Sequence, residues 1–298
     1  MKRILITGAT GNIGMEIIRF LFKNNTENQI IAGVRDIEKA KQIFNKYPQL
    51  EYVTFDFERF DSFEVALENI DTIFLLRPPH ISDVPTYFNP LIEKIKQKNI
   101  HQIVFLSVQG VETSKIIPHN KIEKLIRESE TDYIFMRPSY FMQNLTTTLL
   151  KDIQLKRLII LPAGKAKFNW IDIENIGESG AIVLTEFQKY KNQAIELTGY
   201  ENENFYVVTD LINEVIRDKI NYLNVNPFNF YRIKKKEGMA TGLIIVMMML
   251  HFLPRFQKEP RISNSFEKMT GKKPTTLREF IHRKKNKFIS PTIKTERP

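Results

Sequence analysis

Short β-branched apolar runs alternate with longer segments carrying apolar residues every third or fourth position along the first half of this 298-residue chain. Arg3 to Thr7 and Gln29 to Val34 read as strands; between them Ile13, Ile17, Ile18, Leu21 and Phe22 recur at helical spacing. The same pattern predicts helices over Asp36–Tyr47, Asp61–Asn69, Thr86–Lys98 and His119–Ser129. It predicts strands over Glu51–Phe57, Thr72–Leu76, Gln102–Ser107 and Tyr133–Arg137. Six strands alternating with helices are the signature of an α/β fold built on a doubly wound parallel Rossmann sheet.

Beyond Phe141 the alternation loosens. A brief apolar run at Ile159–Leu161, strands at Lys167–Ile171 and Gln193–Leu197, and helices at Asp172–Tyr190 and Tyr206–Lys219 predict a smaller C-terminal α/β lobe. The expected organisation is a Rossmann domain over residues 1–150, a substrate-covering lobe over 151–285 that is partly interleaved with it, and a basic tail over 286–298. Met239–Leu253 is the most apolar stretch, yet its uninterrupted core from Leu243 to Leu253 is too short to cross a bilayer of about 30 Å. No membrane span is expected, and the segment reads as a buried or pocket-lining helix whose Met247–Met249 run serves as core filler or as a pliable lid. Thr276 and Glu279 have capping-box spacing and open a last helix.

The first strand runs into the first helix through Gly8, Ala9, Thr10, Gly11, Asn12, Ile13 and Gly14. Such a junction presents unpaired helix N–H groups and the positive end of the helix dipole, which suits a pyrophosphate. Gly8 turns the chain, Gly11 lets a phosphate approach the backbone, and Gly14 lets the helix pack close to the strand. Ligands in doubly wound sheets bind beyond the carboxyl ends of the strands, which directs attention to Arg35, Asp56, Leu76, Arg77, Ser107 and Pro138–Phe141. An acidic residue after the second strand would hold the ribose diol of NAD(H); Arg35 stands there instead and suits the 2′-phosphate of NADP(H), with Asp36 beside it still available to a ribose.

Composition narrows the chemistry. The chain has no cysteine, which removes disulfides and thiolate catalysis, and its five histidines fall at no metal-ligand spacing. Of the net charge of +10, +7 comes from Gly271–Pro298, where nine Lys and Arg face two Glu. This basic end lacks interleaved aromatics, so a nucleic-acid partner is not expected. The opening residues enter a strand directly, and the protein is expected to be cytoplasmic.

TGATGNIG, GVRD after the second strand, SVQGVE, HNKIEKLI, MRPSYFMQNL and KFNWIDIENIG together resemble the NmrA-like group of atypical short-chain dehydrogenases/reductases. The resemblance covers roughly Met1–Phe280 and implies a cleft that holds NADP(H). It implies an acidic contact to adenine at Asp56 and puts Ser107 at the superfamily's catalytic serine. Where that superfamily has Tyr-x-x-x-Lys, this chain has His119 and Glu123. His119 could donate the proton in place of the tyrosine. Tyr231 and Lys235 form the only Tyr-x-x-x-Lys and are read as coincidental. Tyr140, Phe141, Trp170 and Met248 are candidates for an apolar substrate pocket, and Arg137, Pro138 and Asn144 for shaping the loop after the sixth strand. Two functions fit: reduction of a quinone or similar planar acceptor by NADPH, or non-catalytic sensing of NADP(H) reported to a protein partner.

Overall fold

A computed structural model describes residues 1–115 and 117–289. The first half runs β1 (Arg3–Thr7), α1 (Asn12–Lys23), β2 (Gln29–Val34), α2 (Ile37–Ile43), β3 (Glu51–Thr54), α3 (Ser62–Ala66), β4 (Thr72–Leu76), α4 (Val84–Gln97), β5 (Gln102–Leu106), α5 (Pro118–Glu128) and β6 (Asp132–Pro138). It continues through β7 (Tyr140–Phe141), α6 (Leu150–Lys156), β8 (Leu158–Leu161), β9 (Phe168–Ile171), α7 (Ile173–Thr185), α8 (Phe187–Tyr190) and β10 (Gln193–Leu197). The last elements are β11 (Asn202–Glu203), α9 (Phe205–Ile216), β12 (Asn221–Asn224), α10 (Pro227–Lys236), α11 (Thr241–Phe252), α12 (Ser265–Thr270) and α13 (Leu277–Phe288).

The strands form a parallel seven-stranded sheet in the order β10-β6-β5-β4-β1-β2-β3. Ile4, Leu5 and Ile6 of β1 are wholly buried, as continuous apolar runs are when a parallel sheet is covered on both faces. The order reverses between β1 and β4, and that switch point opens a crevice at the carboxyl ends of the strands. Thr7 ties the crevice together: its buried hydroxyl donates to the Phe74 carbonyl at 3.0 Å and accepts from the Leu76 N–H at 2.9 Å.

The chain divides into two compact units, Met1–Ser139 with Ile173–Leu197 and Asn264–Lys272, and Tyr140–Asp172 with Thr198–Ser263 and Lys273 onward. Two elements expected in the 151–285 lobe thus belong to the sheet unit. α7 lies on α1 so closely that a Cβ at Gly177 would meet Glu16 Cβ at 2.4 Å, and one at Gly180 would meet Ile17 at 2.8 Å. β10 pairs with β6 as a seventh parallel strand. Periodicity assigns a strand or a helix but not the neighbour it packs on, which is why the linear boundary differs.

The second unit carries two small sheets, β11-β9-β7 and β12-β8, and a core containing Trp170, Phe205, Phe230 and Phe280. Its buried Lys234 pairs with Asp152, and the capping box at Thr276 and Glu279 opens α13. α11, expected to be a buried or pocket-lining helix, is only partly buried. Only Ile244, Met247 and His251 are buried; Met248 is half-buried and Met249 exposed, because a helix apolar on every side does not specify which face finds a partner. Among the described residues no helix is long and apolar enough to cross a membrane. Of the predicted basic tail, residues 290–298 lie outside the described residues.

Candidate functional site

At the switch point the β1–α1 loop brings bare backbone to the surface. Gly8 takes φ +61°, which an L side chain rarely adopts, and its carbonyl accepts from the Gly11 N–H at 2.9 Å to close the turn. A Cβ on Gly14 would meet Gly8 O at 2.5 Å and Ala9 Cα at 2.8 Å, so only glycine lets α1 start this close to the strand. Gly11 is the N-cap of α1, no side chain caps the helix, and its first turn holds no acidic residue. The first N–H groups of this twelve-residue helix therefore lack the carboxylate or hydroxyl acceptor that caps α2, α4 and α13. Thr10, Gly11 and Asn12 are exposed, whereas Ile13 is buried and offers a ligand only its N–H.

Arg35 follows β2 directly, is exposed, and has no side-chain partner among the described residues. Its neighbour Asp36 is the N-cap of α2 and accepts from the Lys39 N–H at 3.0 Å. Asp56 is half-buried, with its carboxylate accepting from Glu58 N–H at 3.0 Å. Leu76 packs beneath Gly8. The Arg77 guanidinium donates to the carbonyls of Pro78 at 3.0 Å and Pro79 at 3.2 Å, so it anchors its own loop.

The carboxyl ends of β5 and β6 are closed by their own side chains. Glu123, 1% exposed, accepts the Ser107 hydroxyl at 2.6 Å and the Arg137 guanidinium in a two-point grip at 2.9 and 2.7 Å. The expected catalytic serine thus has its proton directed at a carboxylate. Glu123, which stands where the superfamily has lysine, is compensated by Arg137, whose part in this pair sequence reading missed. A signal for it existed: Glu123 lies on the buried stripe of α5 beside Ile122 and Ile126, and a buried carboxylate needs a cation.

His119 stands on α5 four residues before Glu123. Its Nε2 accepts from Arg77 Nε–H at 3.4 Å, which places the remaining proton on Nδ1. Burial and the Arg77 charge push the imidazole down to about 3. Both causes favour the neutral ring at His119, the residue expected to stand in the proton donor's place. Among the described residues no group of His, Asp and Glu could hold a metal.

The profile of the NmrA-like family matches residues 1–281. The chain belongs to the NmrA-like family. Among curated relatives, prestalk A differentiation protein A of Dictyostelium discoideum is 27% identical over 278 residues, 93% of this chain and 90% of the relative. The structure of Citrobacter sp. triphenylmethane reductase complexed with NADP(H) is 22% identical, with TM-score 0.83 over 94% of this chain and 99% of that one. The NADPH-dependent quinone oxidoreductase of Escherichia coli, complexed with NADPH, is 20% identical with TM-score 0.82 over the same shares. At these identities the solved structures establish the fold.

In this NmrA-like chain the remaining candidates sit in the second unit. Trp170 is fully buried and its indole N–H donates to the Glu203 carbonyl at 2.8 Å, so it is a core residue and not a pocket surface. Tyr140 meets Trp170 edge-on, with ring centroids 4.8 Å apart, and its hydroxyl lies 2.9 Å from His251 Nε2. His251 Nδ1 is 2.7 Å from the Met247 carbonyl, so Nδ1 donates there and Nε2 accepts from Tyr140. Burial pushes His251 down to about 4 and Tyr140 upward. This pair was not anticipated, because residues 111 positions apart in sequence share no local pattern. Phe141 and Met248 are half-buried. Lys235 donates to Thr241 Oγ1 at 3.0 Å at the start of α11.

Proposed function

We propose that this chain is a cytoplasmic NADPH-dependent oxidoreductase acting on a quinone or a similar planar carbonyl acceptor. The observation that carries the nucleotide half is the uncapped, acid-free start of α1 together with an exposed Arg35, unpartnered among the described residues, beside an already engaged Asp36. The residues fit NADP(H): the N–H groups of Asn12 and Ile13 would hold the pyrophosphate and Arg35 the 2′-phosphate. The bound nucleotide supplies hydride; the chain supplies its position.

A planar quinone is the acceptor that best matches a neutral His119 and a Ser107 engaged by Glu123, because an acceptor that becomes aromatic on reduction needs less help from a protein acid than a simple ketone. Relatives named as reductases of quinones and of triphenylmethane dyes support the same class. Tyr140, Phe141 and Met248 are the residues we assign to contact with an apolar acceptor.

The test is a titration with NADPH, NADH and their oxidised forms, followed by stopped-flow mixing of the NADPH complex with a quinone panel. Tight binding of NADPH with oxidation faster than in buffer supports the proposal; oxidation no faster than in buffer across the panel defeats it. The same self-satisfied Ser107–Glu123–Arg137 group favours a second reading, an NADP(H) sensor that regulates a protein partner. Partner capture that is equal with NADP, NADPH and no nucleotide would end that reading.

A further inference from the structure

Helix α11 leaves an apolar face in water. Leu243, Val246, Met249 and Leu250 are between 44% and 57% exposed, and Leu253 and Phe256 extend the surface past its C-terminus at 44% and 75%. Val246, Met249, Leu250 and Leu253 follow helical i, i+3, i+4, i+7 spacing and so share one side. A contiguous patch of this kind marks an interaction surface.

Charge identifies what the patch meets. No Asp, Glu, Lys or Arg occurs from Gly238 to Pro254, yet exposed cations bracket the segment, with Arg232, Lys235 and Lys236 before it and Arg255 and Lys258 after it. Lys235 is held at the start of α11 by Thr241, and the Arg255 guanidinium lies 5.3 Å from the Phe252 ring at its end. Nearby Glu237 pairs with Lys156 and Lys234, and Glu259 with Lys167, so neither cancels the flanking cations. A second copy meeting this face about a two-fold axis would set cationic ends against cationic ends in either helix direction. An anionic phospholipid surface complements both features: acyl chains accept the apolar face while headgroup phosphates accept the cations at each end.

We propose that the second unit docks on anionic lipid bilayers through α11 lying in the interface plane. A twelve-residue helix is about 18 Å long and cannot span the membrane, so docking is peripheral and reversible. The inference does not depend on nucleotide binding.

The experiment is cosedimentation of the full chain with vesicles of phosphatidylcholine alone or mixed with phosphatidylglycerol, over a salt series. The expected result is binding to the anionic vesicles that weakens with salt, with little binding to phosphatidylcholine alone. The pair Val246→Glu and Leu250→Glu, both on the exposed side, is expected to abolish it at unchanged circular dichroism and melting temperature. The pair Lys235→Glu and Arg255→Glu is expected to weaken it by about tenfold or more. Absence of binding to anionic vesicles overturns the proposal, as does undiminished binding by the Val246→Glu, Leu250→Glu variant. A chain that sediments as a dimer dissociated by that variant, with no vesicle binding, would assign the face to a second copy instead.

Discussion

Two loops at the same end of one sheet are built on opposite plans. The β1–α1 loop is left open: Thr10, Gly11 and Asn12 are exposed, no side chain caps the helix, and no acid shares its first turn. The carboxyl ends of β5 and β6 are closed, with Ser107, Glu123 and Arg137 satisfying one another and His119 accepting from Arg77. Buried polar groups must find partners, so an end left open is available to a ligand, whereas an end that closes on itself is committed to structure. The difference separates nucleotide binding, which the open loop supports, from side-chain acid catalysis, for which the closed group is poorly disposed.

The contrast breaks hardest at Arg137. Arg137→Ala leaves the Glu123 carboxylate buried without its main cation, and a loss of about 3–5 kcal/mol in unfolding free energy is expected by urea titration. The open loop fails differently. Gly14→Ala drives a methyl into backbone that cannot move aside and is expected to cost up to about 3 kcal/mol of stability, with NADPH binding lost by isothermal titration.

Arg35→Ala sharpens the comparison, since it removes an exposed group with no side-chain partner among the described residues. Stability should be unchanged, while the preference for NADPH over NADH falls by about 1.5–3 kcal/mol, roughly 10- to 150-fold in relative affinity. Equal weakening of both nucleotides would place Arg35 away from the 2′-phosphate.

The smallest effect concerns His119. Its folded pKa, about 3, lies below the ordinary histidine value of about 6.5, so below that value the unfolded chain takes up a proton that the folded chain refuses. Its stabilising contribution is therefore complete above about pH 6.5 and declines on acidification, at no more than about 1.4 kcal/mol per pH unit. Urea melts from pH 7 to pH 5 should show a shallower loss in His119→Gln than in the parent chain. Any quinone reduction should show no titration attributable to His119 between pH 6 and 8.

Much of the fold was legible in order. Thr72–Leu76 and Gln193–Leu197 are strands at their expected residues, and most helices of the first half fall within a few positions of their predicted ends, because apolar periodicity is a local consequence of burying one face. The glycine loop was legible for a related reason. Glycine is the residue that a left-handed turn and a close helix approach require, and Gly8 and Gly14 meet those two conditions. The side chains expected to do chemistry were less legible. Ser107 and His119 have chemically competent groups, but Glu123 and Arg77, each distant in sequence, engage them, and Trp170, expected to line a pocket, donates to the Glu203 carbonyl.

Linear order and residue type thus determined the alternating α/β plan, the glycine turn and the placing of Arg35 after β2, since each depends on contacts within one strand–loop–helix unit. Tertiary structure alone decided that α7 and β10 return to the sheet unit, that Glu123 is neutralised by Arg137, that Tyr140 donates to His251, and that α11 keeps an apolar side in water. Those outcomes depend on which distant segments meet, and a hydrophobic pattern records that a face must be buried without recording against what.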